Sequence, residues 1–180
     1  MTSWSQIARR IRVPAGFVLA VVYLLLAMPN WRSIALGSVF VLAGLIIRGF
    51  ASGHLQKNEQ LATSGPYAYT RNPLYFGSLV MAVGFAIAAK SVWIAFLLAA
   101  IFVLIYLPVI RAEESYLGQQ FPEFAEYARQ VPRLIPRARA HQSNSGSFSW
   151  ALYNKHREYN AVLGALAILA ALVGKMMWAH

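Results

Sequence analysis

The sequence predicts an all-α, polytopic helical membrane protein with about five transmembrane helices. Three observations carry this. Hydrophobic residues make up 58% of the 180 positions and charged residues 12%, against roughly 25% charged in an average soluble domain; the mean hydropathy is +0.49. Apolar runs close to the length that crosses a bilayer recur along the chain. Lys and Arg gather at the ends of these runs, as in membrane proteins whose cytoplasmic loops collect basic charge. The net charge of +10 therefore reads as topology, and no nucleic-acid partner is expected. There is no cysteine, which removes disulfides, thiol nucleophiles and thiolate metal sites.

Residues 1–12 are polar and carry Arg9, Arg10 and Arg12. Val13–Met28 is apolar. A basic start and an apolar core also fit a signal peptide, but Pro29-Asn30-Trp31 follows where a small-residue cleavage site would stand. A retained first helix is expected, with Pro14 in its first turn. Trp31–Phe50 is the second span and forms a hairpin with the first; Arg48 near its end can snorkel to the interface. Leu74–Ala89 and Ser91–Ile110 are the third and fourth, with Lys90 in the turn between them. Pro108 is expected to kink or end the fourth. Beyond it, Ala112–Gln120 and Glu123–Gln130 read as short helices separated by Pro122, and Val131–Pro136 as a proline-bounded strap. Residues 137–149 are rich in Arg, Ser and Gly and read as a mobile linker. Tyr159–Trp178 is the last span. The chain thus divides into a transmembrane hairpin (1–50), a core (51–137), a linker with an interfacial segment (138–158) and a final helix (159–180).

With the N-terminus inside, all Lys and Arg except Arg32, Lys90 and Lys175 fall at one membrane face, together with all six acidic residues, each a glutamate. The bias argues for a cytoplasmic N-terminus, an external C-terminus and chemistry at the cytoplasmic face.

Two segments hold the candidates. The first is GPYAYTRNPLYFG at 65–77. Pro66 and Pro73 fix backbone angles and press the preceding residues into extended conformations. Such a loop leaves backbone groups open to a flat polar ligand, and Arg71 supplies a fork for a carboxylate or phosphate. The plain alternative is an interfacial turn with Tyr67, Tyr69 and Tyr75 in an aromatic belt. The second segment carries Arg111, Glu113 and Glu114, then Tyr127 and Val131-Pro132-Arg133-Leu134-Ile135-Pro136. Adjacent carboxylates at a membrane boundary call for a cationic partner, either a ligand's ammonium or sulfonium or Arg71. The alternatives are a solvated helix start and a plain surface connection. The four histidines, His54, His141, His156 and His180, show no ligand spacing, so no metal is expected. No GxGxxG or GxSxG occurs, which leaves a Rossmann site and a serine-hydrolase elbow unsupported.

Together, GPYAYTRNPLYFG at 65–77, RAEE at 111–114 and YARQVPRLIP at 127–136 resemble the isoprenylcysteine carboxyl methyltransferase family and, more broadly, the phospholipid-methyltransferase-like membrane methyltransferases. The similarity covers about residues 48–137, with one helical hairpin between the first two blocks. It implies S-adenosylmethionine as cofactor and a lipophilic small molecule or prenylated acceptor at the bilayer, with carboxyl O-methylation the expected reaction. It carries Tyr67, Arg71, Asn72, Pro73, Tyr75, Gly77, Glu113, Glu114, Tyr127, Pro132 and Arg133 to the cofactor, and Arg71, Arg111, Glu113 and Glu114 to catalysis. Asn72 departs from the histidine of many members. Residues 140–180 lie outside the resemblance; Arg157 and Glu158 there, with Arg48, are candidates for the substrate side. A carboxylate acceptor needs only a cation to orient it, for which Arg71, Arg111 and Arg133 are available; an amine or thiol needs a base, for which Glu113 or Glu114 is available. Membrane sterol and steroid reductases, which bind NADPH, resemble the same loop, but Ser78 stands after Gly77 where those loops tend to carry an acid. A non-enzymatic scaffold is the remaining alternative; it predicts that residues 65–77 and 111–136 do not touch.

Overall fold

The computed structural model describes residues 16, 18–56, 59–141 and 146–178. Arg9, Arg10, Arg12, Pro14, Lys57, His180 and part of the expected linker lie outside the described residues. The described chain is helical, with no strand: α1 (residues 18–26), α2 (Trp31–His54), a 3₁₀ turn (Gly65–Ala68), α3 (Pro73–Ala89), α4 (Val92–Gln120), α5 (Phe124–Gln130), α6 (Trp150–Lys155) and α7 (Tyr159–Trp178). Three of these, α2, α4 and α7, are long and apolar enough to cross a membrane, and α3 is a shorter apolar helix.

The frame is the α2–α3 hairpin partner pair. Gly37 and Gly44 on α2 face Gly84 and Gly77 on α3, so the two backbones nearly touch. A Cβ at Gly84 would lie 2.6 Å from the Gly37 carbonyl, and one at Gly77 would lie 2.8 Å from the Gly44 carbonyl. Lipid tails are as apolar as leucine, so helices in a bilayer gain by close van der Waals approach, which small residues permit. The opposite face of α2 presents Leu36, Val39, Leu42 and Ile46 outward, as a lipid-facing surface requires.

The far end of the bundle is tied by backbone caps. Asn30 caps α2: its Oδ1 accepts from the Ser33 N–H at 2.8 Å, and its own N–H donates to Ser33 Oγ at 3.0 Å. Tyr23, Ala27, Ile34, Ala88, Ala89, Ile94, Leu172 and Met176 form a core there. Lys175 on α7 donates to the Leu24 carbonyl at 2.6 Å and the Leu25 carbonyl at 3.1 Å, which satisfies carbonyls left open where α1 ends.

Pro108 does not end α4, although an end was one of the two outcomes the sequence allowed. The turn before it, Phe102–Tyr106, is a π-helical turn. Such a wider turn accommodates the missing N–H and the ring of a proline inside a helix. The helix therefore runs on past Ile110 to Gln120, and the separate helix expected at 112–120 is its continuation. Glu113 and Glu114 consequently stand on the continuation of α4 and not on a separate helix. The strap also reaches further than Pro136. Arg137 N–H donates to the Tyr69 carbonyl and His141 N–H to the Ala68 carbonyl, and Ser149 N–H reaches the Gly53 carbonyl, with Phe148 packed on Gly53. These described residues of the expected linker are thus fastened to the core.

Candidate functional site

The site is assembled from three pieces of chain: the 65–72 loop, the end of α4 and the strap after α5. Gly65 enters the loop at φ +57, a left-handed conformation that glycine adopts at little cost, and a side chain there would also meet the His54 ring. The 3₁₀ turn then buries Tyr67, whose carbonyl accepts from the Tyr127 hydroxyl at 2.7 Å. From Ala68 to Arg71 the loop runs antiparallel beside the strap: Arg71 N–H donates to the Pro132 carbonyl at 2.9 Å, while Arg137 and His141 donate to Tyr69 and Ala68. The buried Thr70 hydroxyl donates to the Leu134 carbonyl at 2.9 Å.

Asn72 joins all three pieces. It precedes Pro73, the first residue of α3, and its Nδ2 donates both to Glu114 Oε1 at 3.0 Å and to the Arg133 carbonyl at 2.9 Å. Arg133 Nε donates to the other oxygen, Glu114 Oε2, at 2.8 Å. Arg71 Nε stands 3.3 Å from Glu114 Oε1, buried yet without a hydrogen bond, and its guanidinium lies 6.0 Å from the centre of the Phe124 ring. Glu114 is 7% exposed. A carboxylate so buried persists because two guanidiniums and an amide surround it; unpaired, it would be costly. Under the cluster, Phe124, Tyr127 and Val131 pack with Leu61, Leu117 and Phe121. Burial pushes the Tyr127 phenol above its ordinary pKa, with Arg71 opposing and Glu114 adding. Burial likewise raises Tyr67, helped by Tyr127, Glu113 and Glu158 and opposed by Arg48.

Tyr67, Arg71, Asn72, Pro73, Glu114, Tyr127, Pro132 and Arg133 are thus brought into one constellation by these bonds and by the loop's own course. Glu113 takes no part in those bonds; it is half-buried, and its charge is felt at the Tyr67 phenol. Arg111 is exposed on α4. Tyr75 packs edge-on against Tyr106, with ring centres 5.9 Å apart, and Gly77 lies on the α2 side of α3, where Gly44 and Arg48 pass. Arg48 pairs with Glu158 at 2.8 Å, and Arg157 is exposed beside it. Sequence reasoning passed over Thr70, whose only signal was its place inside the loop. It noted Ser78 without foreseeing that Ser78 Oγ would accept from Arg48 at 2.6 Å. The two segments that a scaffold would keep apart are in contact.

The described chain is thus a set of helices with apolar spans, joined near the end of α4 by an Arg71–Glu114–Arg133 cluster whose carboxylate is buried. Residues 23–123 match the family model described as phospholipid methyltransferase, and the chain belongs to this family. Among curated proteins, it is 34% identical over 151 residues to the cobalt-zinc-cadmium resistance protein CzcN of Cupriavidus metallidurans, covering 79% of this chain and 68% of that one. It is 41% identical over 90 residues to the nickel-cobalt-cadmium resistance protein NccN of Alcaligenes xylosoxydans xylosoxydans, covering 50% and 42%. It is 29% identical over 100 residues to the protein-S-isoprenylcysteine O-methyltransferase of Schizosaccharomyces pombe, covering 55% and 42%. No solved structure matches the chain.

Proposed function

We propose that this protein is an S-adenosylmethionine-dependent methyltransferase that methylates the carboxylate of a lipid-like, isoprenylcysteine-type acceptor at the cytoplasmic face of the membrane. The Glu114 cluster carries the reading. Its two guanidiniums exceed its one buried carboxylate by a positive charge, and Arg71 Nε is a buried donor with no hydrogen bond. A buried donor that has an ion pair but no hydrogen bond is costly unless something completes it, and the carboxylate of an amino-acid-like ligand does so. S-adenosylmethionine has such a carboxylate, so the donor set fits it. Glu113, half-buried one residue earlier on α4, supplies negative charge for the cationic part of the same ligand.

When bound, S-adenosylmethionine supplies a methyl group on a sulfonium, open to in-line displacement. The chain's own task is alignment and exclusion of water, and alignment alone accounts for much of such an acceleration. Arg71 and Arg133 hold a carboxylate. Asn72 ties loop, helix and strap so that the two arginines keep their spacing. Phe124 and Tyr127 close the floor. A carboxylate acceptor needs no proton removed, which agrees with a site whose glutamate is engaged by arginines. The distribution of basic residues supports a cytoplasmic N-terminus and a site on that side.

Two relatives have names that refer to metal resistance. On this reading a resistance role would be reached by modifying a membrane component, because the cluster is filled by arginines, which offer a metal no lone pair. Among the described residues no group of three or more His, Cys, Asp or Glu could hold an ion. The test is methyl transfer in proteoliposomes from isotope-labelled donor to a panel of isoprenylcysteine, phospholipid and isoprenoid acceptors. Label should enter the carboxylate-bearing lipid as a base-labile ester. Absence of transfer to every acceptor, with donor binding also absent, overturns the proposal.

A further inference from the structure

A second arginine–glutamate cluster lies close to the first, and the donor site makes no use of it. Arg48, on α2, binds Glu158 two-pronged: Nε to Oε2 at 3.1 Å, and Nη2 to Oε1 at 2.8 Å and to Oε2 at 2.9 Å. Its remaining nitrogen, Nη1, donates to Ser78 Oγ at 2.6 Å and to the Leu74 carbonyl at 3.3 Å. Leu74 and Ser78 follow Asn72 on α3 by two and six residues, roughly 3 to 9 Å along the helix axis. Tyr67, buried in the loop of the first cluster, has its phenol pKa raised chiefly by burial, with Glu158 raising and Arg48 lowering it among the charges that act on it.

We infer that Arg48 is the binding site for the carboxylate of the lipid acceptor, and that Glu158 holds that place until the acceptor's carboxylate displaces it. The inference rests on the proposed carboxyl methylation and names the residue that positions the acceptor.

Three features support it. First, the two partners stand on unequal supports. Arg48 is fixed from behind by α3 and belongs to a 24-residue helix locked on the glycine seam. Glu158 sits in the junction between the six-residue α6 and α7, directly after Arg157, whose φ is +53. That left-handed conformation is uncommon for a residue other than glycine and marks a strained turn. If the pair opens, Glu158 moves and Arg48 stays. Second, the exchange conserves charge. Replacing one carboxylate by another leaves the guanidinium paired in the same fork geometry; a neutral ligand would leave a partly buried cation alone. The ligand class is therefore a carboxylate. The released Glu158 has exposed Lys155 and Arg157 beside it. Third, the surroundings suit a lipid. Phe50 on α2 packs against Phe148, and the row continues through Trp150 to Tyr153 on α6; Phe50 and Trp150 are 55% and 70% exposed, so aromatic surface lies open at the end of α2 that carries Arg48. Glu158 lies beyond residues 23–123 that match the family model.

A purely structural tie between α7 and α2 predicts otherwise, and fluorescence titration of the full chain in detergent separates the two. The probes are 11-(dansylamino)undecanoic acid and its methyl ester. The wild type should bind the acid better than the ester. Glu158→Gln should tighten acid binding about tenfold, the factor expected if the latch is closed about nine-tenths of the time, and leave the ester unchanged. Arg48→Gln should abolish the preference for acid. If Glu158→Gln does not fold, Glu158→Asp, which shortens the fork, should shift acid binding in the same direction. Unchanged or weaker acid binding in a folded Glu158 variant, or a preference for acid that survives Arg48→Gln, overturns the inference. No methyl donor is present in this titration. An intact acid preference with no donor binding would therefore defeat the methyltransferase reading alone, and donor binding without the acid preference would defeat only this one.

Discussion

The two arginine–glutamate clusters are built with opposite arithmetic. At Glu114 one carboxylate serves two arginines and an amide, and one buried donor of Arg71 is left over. At Arg48 one guanidinium is satisfied on all sides by Glu158, Ser78 and the Leu74 carbonyl. The first cluster joins a membrane helix, a loop and a strap that are bonded to one another; the second joins a long helix to a turn. The difference separates a site with spare positive charge, suited to gain a ligand, from one with none, suited to exchange one. It also explains why the chain spends two prolines on the loop and a glycine seam on α3. Both clusters depend on where the first turns of α3 lie.

The comparison can be broken most severely at Glu114. Glu114→Ala leaves Arg71 and Asn72 without their shared acceptor, and loss of one partner from a buried pair costs about 3 kcal/mol or more; Arg133 is nearly half exposed and adds less. Thermal unfolding in detergent should fall clearly and donor binding should vanish, whereas Glu158→Gln should lower stability much less. Next in size is Gly77→Ala. Its new methyl would meet the Gly44 carbonyl at 2.8 Å and Arg48 Cγ at 2.7 Å, and overpacking of this kind costs about 1–3 kcal/mol. It should disturb acid binding at Arg48 more than donor binding at Arg71. Asn72→Ala removes the donor to Glu114 and to the Arg133 carbonyl, for about 1–3 kcal/mol if both acceptors stay dry; Asn72→His should restore part of the donor affinity if the ring can donate to Glu114. The smallest change is Lys175→Met, which removes the cap on the α1 carbonyls at the far end, about 0.5–1 kcal/mol. It should lower the unfolding temperature slightly and leave both clusters' ligand affinities unchanged.

The parts of this picture that were legible in sequence are those written in residue types. Prolines and glycines marked the 65–77 loop, apolar runs marked the helices α2, α4 and α7, and Glu114 and Arg133, which bond to each other, were both singled out. The parts that were not legible depend on backbone geometry or on distant partners. Pro108 fits either a kink or an end; that the helix continues through a π turn at Phe102–Tyr106 is visible only in the backbone. The strap beyond Pro136 is held through the carbonyls of Ala68 and Tyr69, groups that every residue has. Arg48 and Glu158 were each suspected of a substrate role, but their pairing spans 110 positions and no local pattern encodes it. The acidic pair was read as one feature; a helix places consecutive side chains about 100° apart, and only Glu114 meets the arginines.

The central claim is that the spare donor at Arg71 holds the methyl donor, and calorimetric titration of S-adenosylmethionine into the wild type and Arg71→Met measures it directly. The account predicts saturable binding to the wild type and at least about tenfold weaker binding, 1.4 kcal/mol or more, to a variant that melts cooperatively. Equal affinity in the two proteins, or no binding to the wild type, would contradict it.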